Sequence, residues 1–572
     1  MKDILLDKPG KKIILLGNEA IVRGALELGV EFVSTYPGTP ASEIGNTFFK
    51  LSQDKEYKGY FEFSVNEKTA LEAAVGASFS GLKTLVAMKN FGVNVCLDVL
   101  MPFVYTGTKG PTVIVVADDP SCHSSAQSEE NSRGFAYLAH IPILEPADPQ
   151  ECKDFLKLAF QISEKFKIPV ILRTTTRVSH QRMPVRLDKF AVTKSDLSGK
   201  FVKDYSKFVT LPPRVLEMKK ELLEKIKKIG LFSDKSPVNL FSSKSSRGRI
   251  GIITSGVSYL NVKEALKELD LDLPILKLGF FYPLSEQKIK TFLKGLKKVL
   301  IVEELEPFLE KEIERLAKEV NCKLEVVGKK LLPEIGELKP EIVAPAIAQF
   351  SNTKYKIQTT SHKIQAPKRF PQLCPGCPYW SVIAAVKKAV GSEEVIFGGD
   401  IGCYMLFGMP NLGMQDYLSC MGSSIGIAHG IKKATNGQKL IAFIGDSTFL
   451  HAGIQALINT IFNKSNPLII ILDNQTTAMT GHQPNPAMAK KINSEYKFGF
   501  TDPDFIAASE GCQPAIIIED IVRACGVKNL KVIDPIKQEE FVSTIKEFLE
   551  KDEVSVIIAR RMCALLAKSF KK

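Results

Sequence analysis

The sequence predicts a multidomain α/β protein built on parallel sheets. Three observations lead there. First, 572 residues exceed what one hydrophobic core serves, so three or four domains are expected. Second, short apolar runs alternate with helical stretches along much of the chain, as in βαβ units. Third, the run Leu440-Ile441-Ala442-Phe443-Ile444 ends in Gly445-Asp446. A helical stretch over about 451–463 separates it from a second run, 467–472, that stops just before Asn474. Short apolar runs bounded by turn residues read as strands buried on both faces.

Taken in order, residues 1 to about 190 place strands at 12–16, 112–116 and 169–172, with helices between them. Residues 191–246 are polar, Lys-rich and Ser-rich, with Pro212-Pro213, and read as a connector holding one helix over 214–229. A smaller α/β unit spans 247–350 and opens with a strand at 249–254. A second connector, rich in Lys, Thr and Gln, covers 351–370. The last domain, 371–572, carries a helix at about 380–390, a strand at 395–398 and the strand-helix-strand unit around Asp446. There is no short internal repeat.

Composition narrows the function classes. Charged residues make up 24% of the chain, which is globular and not disordered. No apolar run approaches the roughly 20 residues of a membrane span. The N-terminus, MKDILLDKPGKK, lacks the apolar core of a signal peptide. A cytoplasmic protein with no membrane partner is expected. The net charge of +13 gathers in Lys-rich stretches such as 218–228 and the tail 568–572, which read as solvated helix faces. No nucleic-acid motif accompanies it, so no nucleic-acid partner is expected. Eleven scattered cysteines, an odd number, argue against a disulfide framework.

Asp446 and Asn474 fall at the C-terminal ends of two parallel strands, where open α/β sheets bind ligands. A carboxylate and an amide oxygen suit Mg²⁺, which shares hard oxygen ligands with phosphates. An ordinary strand-turn-helix is the plain alternative. The spacing resembles the thiamine diphosphate motif, Gly-Asp-Gly followed by Asn, with Ser447 at its third position. Near the N-terminus, Glu67 opens Glu67-Lys68-Thr69-Ala70 and is followed by Gly76. This spacing resembles the pyrimidine-binding domain of the same enzymes, in which the Glu bonds the aminopyrimidine ring. A Glu at a helix start also serves simply as a dipole partner. Tyr36-Pro37-Gly38-Thr39-Pro40 makes a turn on any reading. It also resembles the loop of 2-oxoacid:ferredoxin oxidoreductases whose Thr contacts the substrate carboxylate. Cys374-Pro-Gly-Cys377 is followed by Gly399-Asp400-Ile401-Gly402-Cys403. A lone Cys-x-x-Cys holds zinc, acts as a redox pair or does neither. In beta subunits of those oxidoreductases the same pattern helps bind a [4Fe–4S] cluster, which thiolates suit.

Four longer segments make the resemblance specific. They are Arg173-Thr-Thr-Thr-Arg177-Val-Ser-His180, Cys420-Met-Gly-Ser-Ser-Ile-Gly-Ile-Ala-His429, Gly445-Asp-Ser-Thr-Phe449 and Thr477-Ala-Met-Thr-Gly-His482-Gln-Pro484. Together they resemble the alpha-subunit family of indolepyruvate:ferredoxin oxidoreductases over almost the whole chain. The resemblance implies a pyrimidine-binding domain over 1–190, a transketolase C-terminal-like domain over 247–350 and a diphosphate-binding domain over 371–572. It implies oxidative decarboxylation of aryl 2-oxoacids to acyl-coenzyme A, with the cofactor as electron sink and ferredoxin as acceptor. A smaller beta subunit would be the partner. Glu67 and Thr39 would be catalytic. Gly422, Ser423, Gly445, Asp446, Ser447 and Asn474 would bind thiamine diphosphate, with Mg²⁺ on Asp446, Asn474 and Thr476. Cys374, Cys377 and Cys403 would hold the cluster, the fourth ligand coming from Cys420, Cys512, Cys525 or Cys563.

Two features depart from the family. Its members end in a ferredoxin-like domain with two runs of Cys-x-x-Cys-x-x-Cys-x-x-x-Cys, and no such run precedes Lys572. The segment 122–133 also matches more loosely. A non-oxidative thiamine diphosphate decarboxylase or carboligase, and a non-catalytic scaffold subunit, are therefore the rival expectations.

Overall fold

The computed structural model describes residues 4–54, 57–191, 199–242, 249–355, 371–435, 437–491, 512–514 and 516–569. Most of the expected connector 351–370 lies outside them. The chain forms two compact units, Met1–Lys363 and Ile364–Lys572.

The first unit holds a seven-stranded sheet. Its spatial order is Phe280–Tyr282, Ile143–Leu144, Val170–Thr175, Thr112–Asp118, Thr84–Lys89, Phe32–Thr35 and Tyr60–Phe63. All neighbours are parallel except the first pair. The three central strands are buried at every residue, as a sheet covered on both faces requires. That is why they read as unbroken apolar runs. Helices Gly17–Glu27 and Pro149–Phe166 pack together on one side. Inward Ile21, Leu156, Ala159 and Phe160 join the sheet's Val and Ile in one core.

The strand expected at 12–16 forms, but not in this sheet. Lys12–Leu16 pairs antiparallel with Arg182–Arg186 as a separate ribbon. Ile14 is 69% exposed, which a doubly covered parallel strand does not tolerate. The apolar run was read correctly; a run alone does not name its partner strand.

A five-stranded sheet completes the unit, in the order Glu325–Val327, Lys298–Val302, Ile250–Ser255, Ile275–Leu278, Leu240–Ser242. Its last strand is antiparallel and comes from the segment expected to be a connector. Phe280–Tyr282, from the expected small domain, completes the edge of the seven-stranded sheet. The helix expected at 214–229 runs further, Arg214–Lys235, burying Met218, Leu222, Ile229 and Ser233 and leaving Lys220, Lys227, Lys228 and Lys235 to solvent.

A buried guanidinium, Arg133, ties the two sheets together, and a second, Arg173, supports it from the seven-stranded sheet. Arg133 donates to Glu145, Glu303 and Ser255. Arg173 donates to Asp118 and Glu145. Burial pushes the Glu145 carboxyl up, but Arg133 and Arg173 outweigh it and leave it at about 2. Glu304 lacks so close a cation. Burial raises it to about 7 against the pull of Arg173 and the Leu338 N–H.

The second unit holds a wholly parallel sheet in the order Val395–Gly398, Lys439–Gly445, Leu468–Asp473, Ser555–Arg560, Asn529–Ile533. Apolar residues of Tyr379–Val390 and Gln538–Leu549 pack on one face. Those of Ile454–Phe462 and Ile518–Ala524 pack on the other. The helix expected at 451–463 begins as a wider π turn, Phe449–Gly453, before Ile454–Phe462. Among the described residues no helix is long and apolar enough to cross a membrane.

Glu304 generates a pH prediction. Its carboxyl is raised in the folded state, so folding binds a proton between the unfolded value near 4.5 and about 7. Its stabilising contribution is present below the unfolded value and is lost as pH rises through about 7. Glu304→Gln keeps the acceptor for Leu338. It is expected to raise stability at pH 8 by roughly 1–3 kcal/mol, with the gain shrinking toward pH 5. Thermal melts of both proteins at the two pH values check it.

Candidate active site

In the second unit, Lys439–Gly445 hands the chain directly to Asp446, and Leu468–Asp473 to Asn474. Register pairs Gly445 with Leu472, so both residues emerge at the same edge. Asp446 is almost wholly buried and accepts from Asn485 Nδ2 at 3.1 Å. Burial, then the neighbouring Asp473 carboxylate, raises it to about 8. Asp473 is itself buried and ion-paired with Arg560 at 2.6 Å. Arg560 is shared between Asp473 and Glu519, and the crowding of Asp446 by Asp473 favours a proton on the Asp446 carboxyl.

The Asn474 amide donates to the Tyr379 hydroxyl at 2.8 Å, and its oxygen accepts the Thr476 N–H at 3.2 Å. The Thr476 hydroxyl is spent on the Gln483 carbonyl. Thr477 Oγ1 donates to Ser447 Oγ at 3.0 Å, pinning the two strand-end loops together. A third loop joins them. Asp400 is fully buried and accepts from the N–H groups of Ile401, Gly422 and Ser424. It holds the turn of Gly422 and Ser423 at the start of helix Ser424–Ala434. Gly422 has φ +91°, and a Cβ there would lie 2.5 Å from that of Ala452. A Cβ on Gly445 would meet the buried Tyr404 ring at 2.9 Å.

Cys374 and Cys377 lie in the turn before Tyr379–Val390, with Cys377 N–H bonded to the Cys374 carbonyl. Cys403 opens the short helix Cys403–Gly408. Burial first, then Cys377, Cys563 and Cys374, push the Cys403 thiol up to about 12. Burial, Cys563 and Cys374 push Cys377 to about 11. Cys374 and Cys563 therefore stand within electrostatic reach of both Cys377 and Cys403. Cys563 follows strand Ser555–Arg560. Its N–H donates to the Asn474 carbonyl at 3.1 Å, just as that of Arg561 donates to Asp473. Cys420 is exposed, and the Cys525 thiol responds to burial alone. The Cys512 side chain lies outside the described residues.

In the first unit, Asn66 caps the helix Glu67–Phe79 by accepting from the Thr69 N–H. Glu67 is buried. Only a glycine at 92 leaves it room, since a Cβ there would come 2.6 Å from Glu67 Cγ. Thr39 follows strand Phe32–Thr35 at the sheet's C-terminal edge. Its hydroxyl is 3.3 Å from that of Ser42, and its carbonyl accepts from Ser124. Lys89, buried at the end of its own strand, packs against Gly38 and reaches the Ser124 carbonyl at 2.9 Å and Asp119 at 3.7 Å.

Sequence reasoning missed Asp400, Asp473, Asn485, Tyr379 and Lys89, and left Cys563 one of four choices. Asp473 and Lys89 carried a signal, a charged residue ending an apolar strand. Asp400 sits inside a motif already singled out.

Three family models match the chain: "Pyruvate flavodoxin/ferredoxin oxidoreductase, thiamine diP-bdg" over 23–227, "Indolepyruvate oxidoreductase domain" over 240–366 and "Thiamine pyrophosphate enzyme, C-terminal TPP binding domain" over 400–559. The chain is 42% identical to indolepyruvate oxidoreductase subunit IorA of Methanothermobacter thermautotrophicus, covering 99% of this chain and 89% of that protein. The IorA proteins of Pyrococcus horikoshii, at 41%, and Archaeoglobus fulgidus, at 40%, match over 98% and 99% of the chain and 87% and 89% of their own lengths. The chain belongs to the IorA family. It is an enzyme subunit of oxidoreductase type, and the thiamine-binding matches fall on the two units that carry Glu67 and Asp446. A solved 2-oxoglutarate:ferredoxin oxidoreductase from Magnetococcus marinus is similar at 18% identity and a TM-score of 0.49, over 59% of this chain and 65% of its own.

Gly422→Ala is expected to destabilise the protein by about 1–3 kcal/mol, from left-handed backbone strain and the Ala452 clash together. A melting temperature equal to that of the parent protein would show that this turn does not need glycine.

Proposed function

We propose that this chain oxidatively decarboxylates aryl 2-oxoacids of the indolepyruvate type with thiamine diphosphate and Mg²⁺, acting with a smaller beta subunit. One 2-oxoacid, one coenzyme A and two oxidised ferredoxins would give acyl-coenzyme A, CO₂, a proton and two reduced ferredoxins. The relatives named for indolepyruvate support the aryl substrate.

One observation carries the oxidative reading over simple decarboxylation. Cys403 and Cys563 follow strands of the sheet that carries Asp446 and Asn474, Cys374 and Cys377 lie near enough to raise the Cys403 thiol, and the Cys563 N–H bonds the Asn474 carbonyl. Among the described residues no group of three or more His, Cys, Asp or Glu is arranged to hold a single ion. A cubane spreads its four thiolates over four irons, wider apart than one ion holds them. Cys374, Cys377, Cys403 and Cys563 fit that donor set. Mg²⁺ takes one or two carboxylates and completes its shell with phosphate. The buried Asp446 would give up its proton to serve as that carboxylate, with Asn474 and the Thr476 carbonyl as the other expected ligands.

When bound, thiamine diphosphate supplies the electron sink on which loss of CO₂ depends. Gly422, Ser423, Gly445 and Ser447 would let the diphosphate approach the backbone closely. Glu67, buried beside Gly92, would share a proton with the ring nitrogen. The Thr39 hydroxyl and Lys89 ammonium offer donors for the substrate carboxylate. Buried Tyr379 and Phe407 exclude water from the strand ends.

Glu67→Gln is expected to leave thiamine diphosphate affinity nearly unchanged and to lower turnover by about 10²–10⁴. Turnover near that of the parent enzyme would remove Glu67 from the chemistry. Asp446→Ala is expected to weaken Mg²⁺ and thiamine diphosphate binding together. Calorimetry showing full cofactor affinity in excess Mg²⁺ would reduce the motif to a structural turn. The oxidative reading itself is tested by iron in anaerobically purified protein. Cys563→Ser should lose the cluster and ferredoxin reduction, while Cys525→Ser keeps both. Iron-free protein with full activity would favour the decarboxylase.

A further inference from the structure

We propose that His482 is a positioning residue for electron transfer: its ring N–H donates a hydrogen bond to the Cys563 sulfur and raises the potential at which the cluster accepts an electron. This rests on the cluster assignment above. His482 Nε2 lies 3.5 Å from Cys563 Sγ, a normal separation for a bond to sulfur. Neither partner is loosely held. Thr477 and Gln483 pair across the base of the loop, with Thr477 N–H on the Gln483 carbonyl at 3.0 Å. Gln483 also grips Thr480 twice, accepting from its hydroxyl and donating to its carbonyl. Gly481 at φ +122° and His482 at φ +63° complete the turn. On the other side, the Cys563 N–H is fixed by Asn474 and its carbonyl by the Ala567 N–H.

The physical consequence follows from charge. A one-electron reduction adds a negative charge to a centre already surrounded by four thiolates. A neutral N–H directed at one of those sulfurs stabilises the reduced state more than the oxidised one, and hydrogen bonds to sulfur are an established lever on cluster potential. No proton moves; the electron comes from the donor used in the experiment. Because the loop begins at Asn474, the cluster's hydrogen-bond donor and the cofactor's metal ligand lie on one short segment. His482 is thereby assigned a role that neither the Cys-x-x-Cys pattern nor the Gly-Asp motif indicates.

The test is a dithionite titration of the anaerobically purified full-length complex, followed by electron paramagnetic resonance of the reduced cluster. Asn tolerates the left-handed backbone but is too short to reach the sulfur; Gln restores an amide N–H. His482→Asn is expected to disfavour reduction by about tenfold, about 59 mV for a one-electron couple, with iron content unchanged. His482→Gln should recover part of the shift. An iron-replete Asn variant with the parent potential would overturn the proposal. A second measurement needs no variant. With ¹⁵N-histidine labelling, pulsed resonance of the parent cluster should show coupling to a histidine nitrogen, and its absence would also overturn the proposal. Iron-free parent protein would overturn the cluster assignment itself, which keeps the two failures distinct.

Discussion

Two backbone hydrogen bonds organise the second unit: Arg561 N–H to the Asp473 carbonyl, and Cys563 N–H to the Asn474 carbonyl. They continue the parallel pairing of Ser555–Arg560 with Leu468–Asp473 past the end of the sheet. Inside the sheet such bonds satisfy buried backbone. Beyond it they fix two loops that have no regular structure of their own. One loop carries the Asn474–Gln483 turn, the other the Cys563 thiol. Arg560 reinforces the join by pairing with Asp473 and Glu519. A buried pair of this kind is weak evidence for stability by itself. Here it also answers the charge of Asp473, the carboxylate that crowds Asp446.

The two units show the same design. In each, the candidate site residues stand at the C-terminal edge of a parallel sheet whose strands are apolar on both faces. The strands tolerate almost no polar side chains along their length. Polar groups therefore concentrate where the strands end, as with Thr39, Lys89, Asp118, Asp446 and Asn474. Helix starts supply the other positions, Glu67 in the first unit and Ser424 in the second. Glycine appears where backbone or side chain must come close: Gly92 beside Glu67, Gly422 beside Ala452 and Gly445 beside Tyr404.

How much of this was legible followed from sequence distance. The Asp446 unit could be read because two buried strands and their intervening helix are local. Their apolar runs end in Gly-Asp and Asp-Asn with nothing polar before. The placement of Glu67 at a helix start and of Thr39 after a strand was legible through short motifs. Cys563 was not, because its choice depends on which strand neighbours Leu468–Asp473. That neighbour, Ser555–Arg560, is distant in sequence, and its apolar pattern matches that of other buried strands. The Lys12–Leu16 ribbon was misplaced for the same reason. Asp400 was hidden for a different one: its task is to satisfy backbone N–H groups of a turn, and no spacing rule announces that. The ion network of Arg133 and Arg173 joins residues from both sheets, so it emerges only once the chain is folded.

The central claim is that one set of strand ends carries both the cofactor's metal ligands and a four-cysteine cluster. Iron-edge anomalous diffraction from crystals of the anaerobically purified protein tests it most directly. The account predicts one iron-rich peak bounded by Cys374, Cys377, Cys403 and Cys563, with His482 against its Cys563 corner. Iron held by Cys420 or Cys525 instead, or thiols left bare in protein that reduces ferredoxin at full rate, would contradict it.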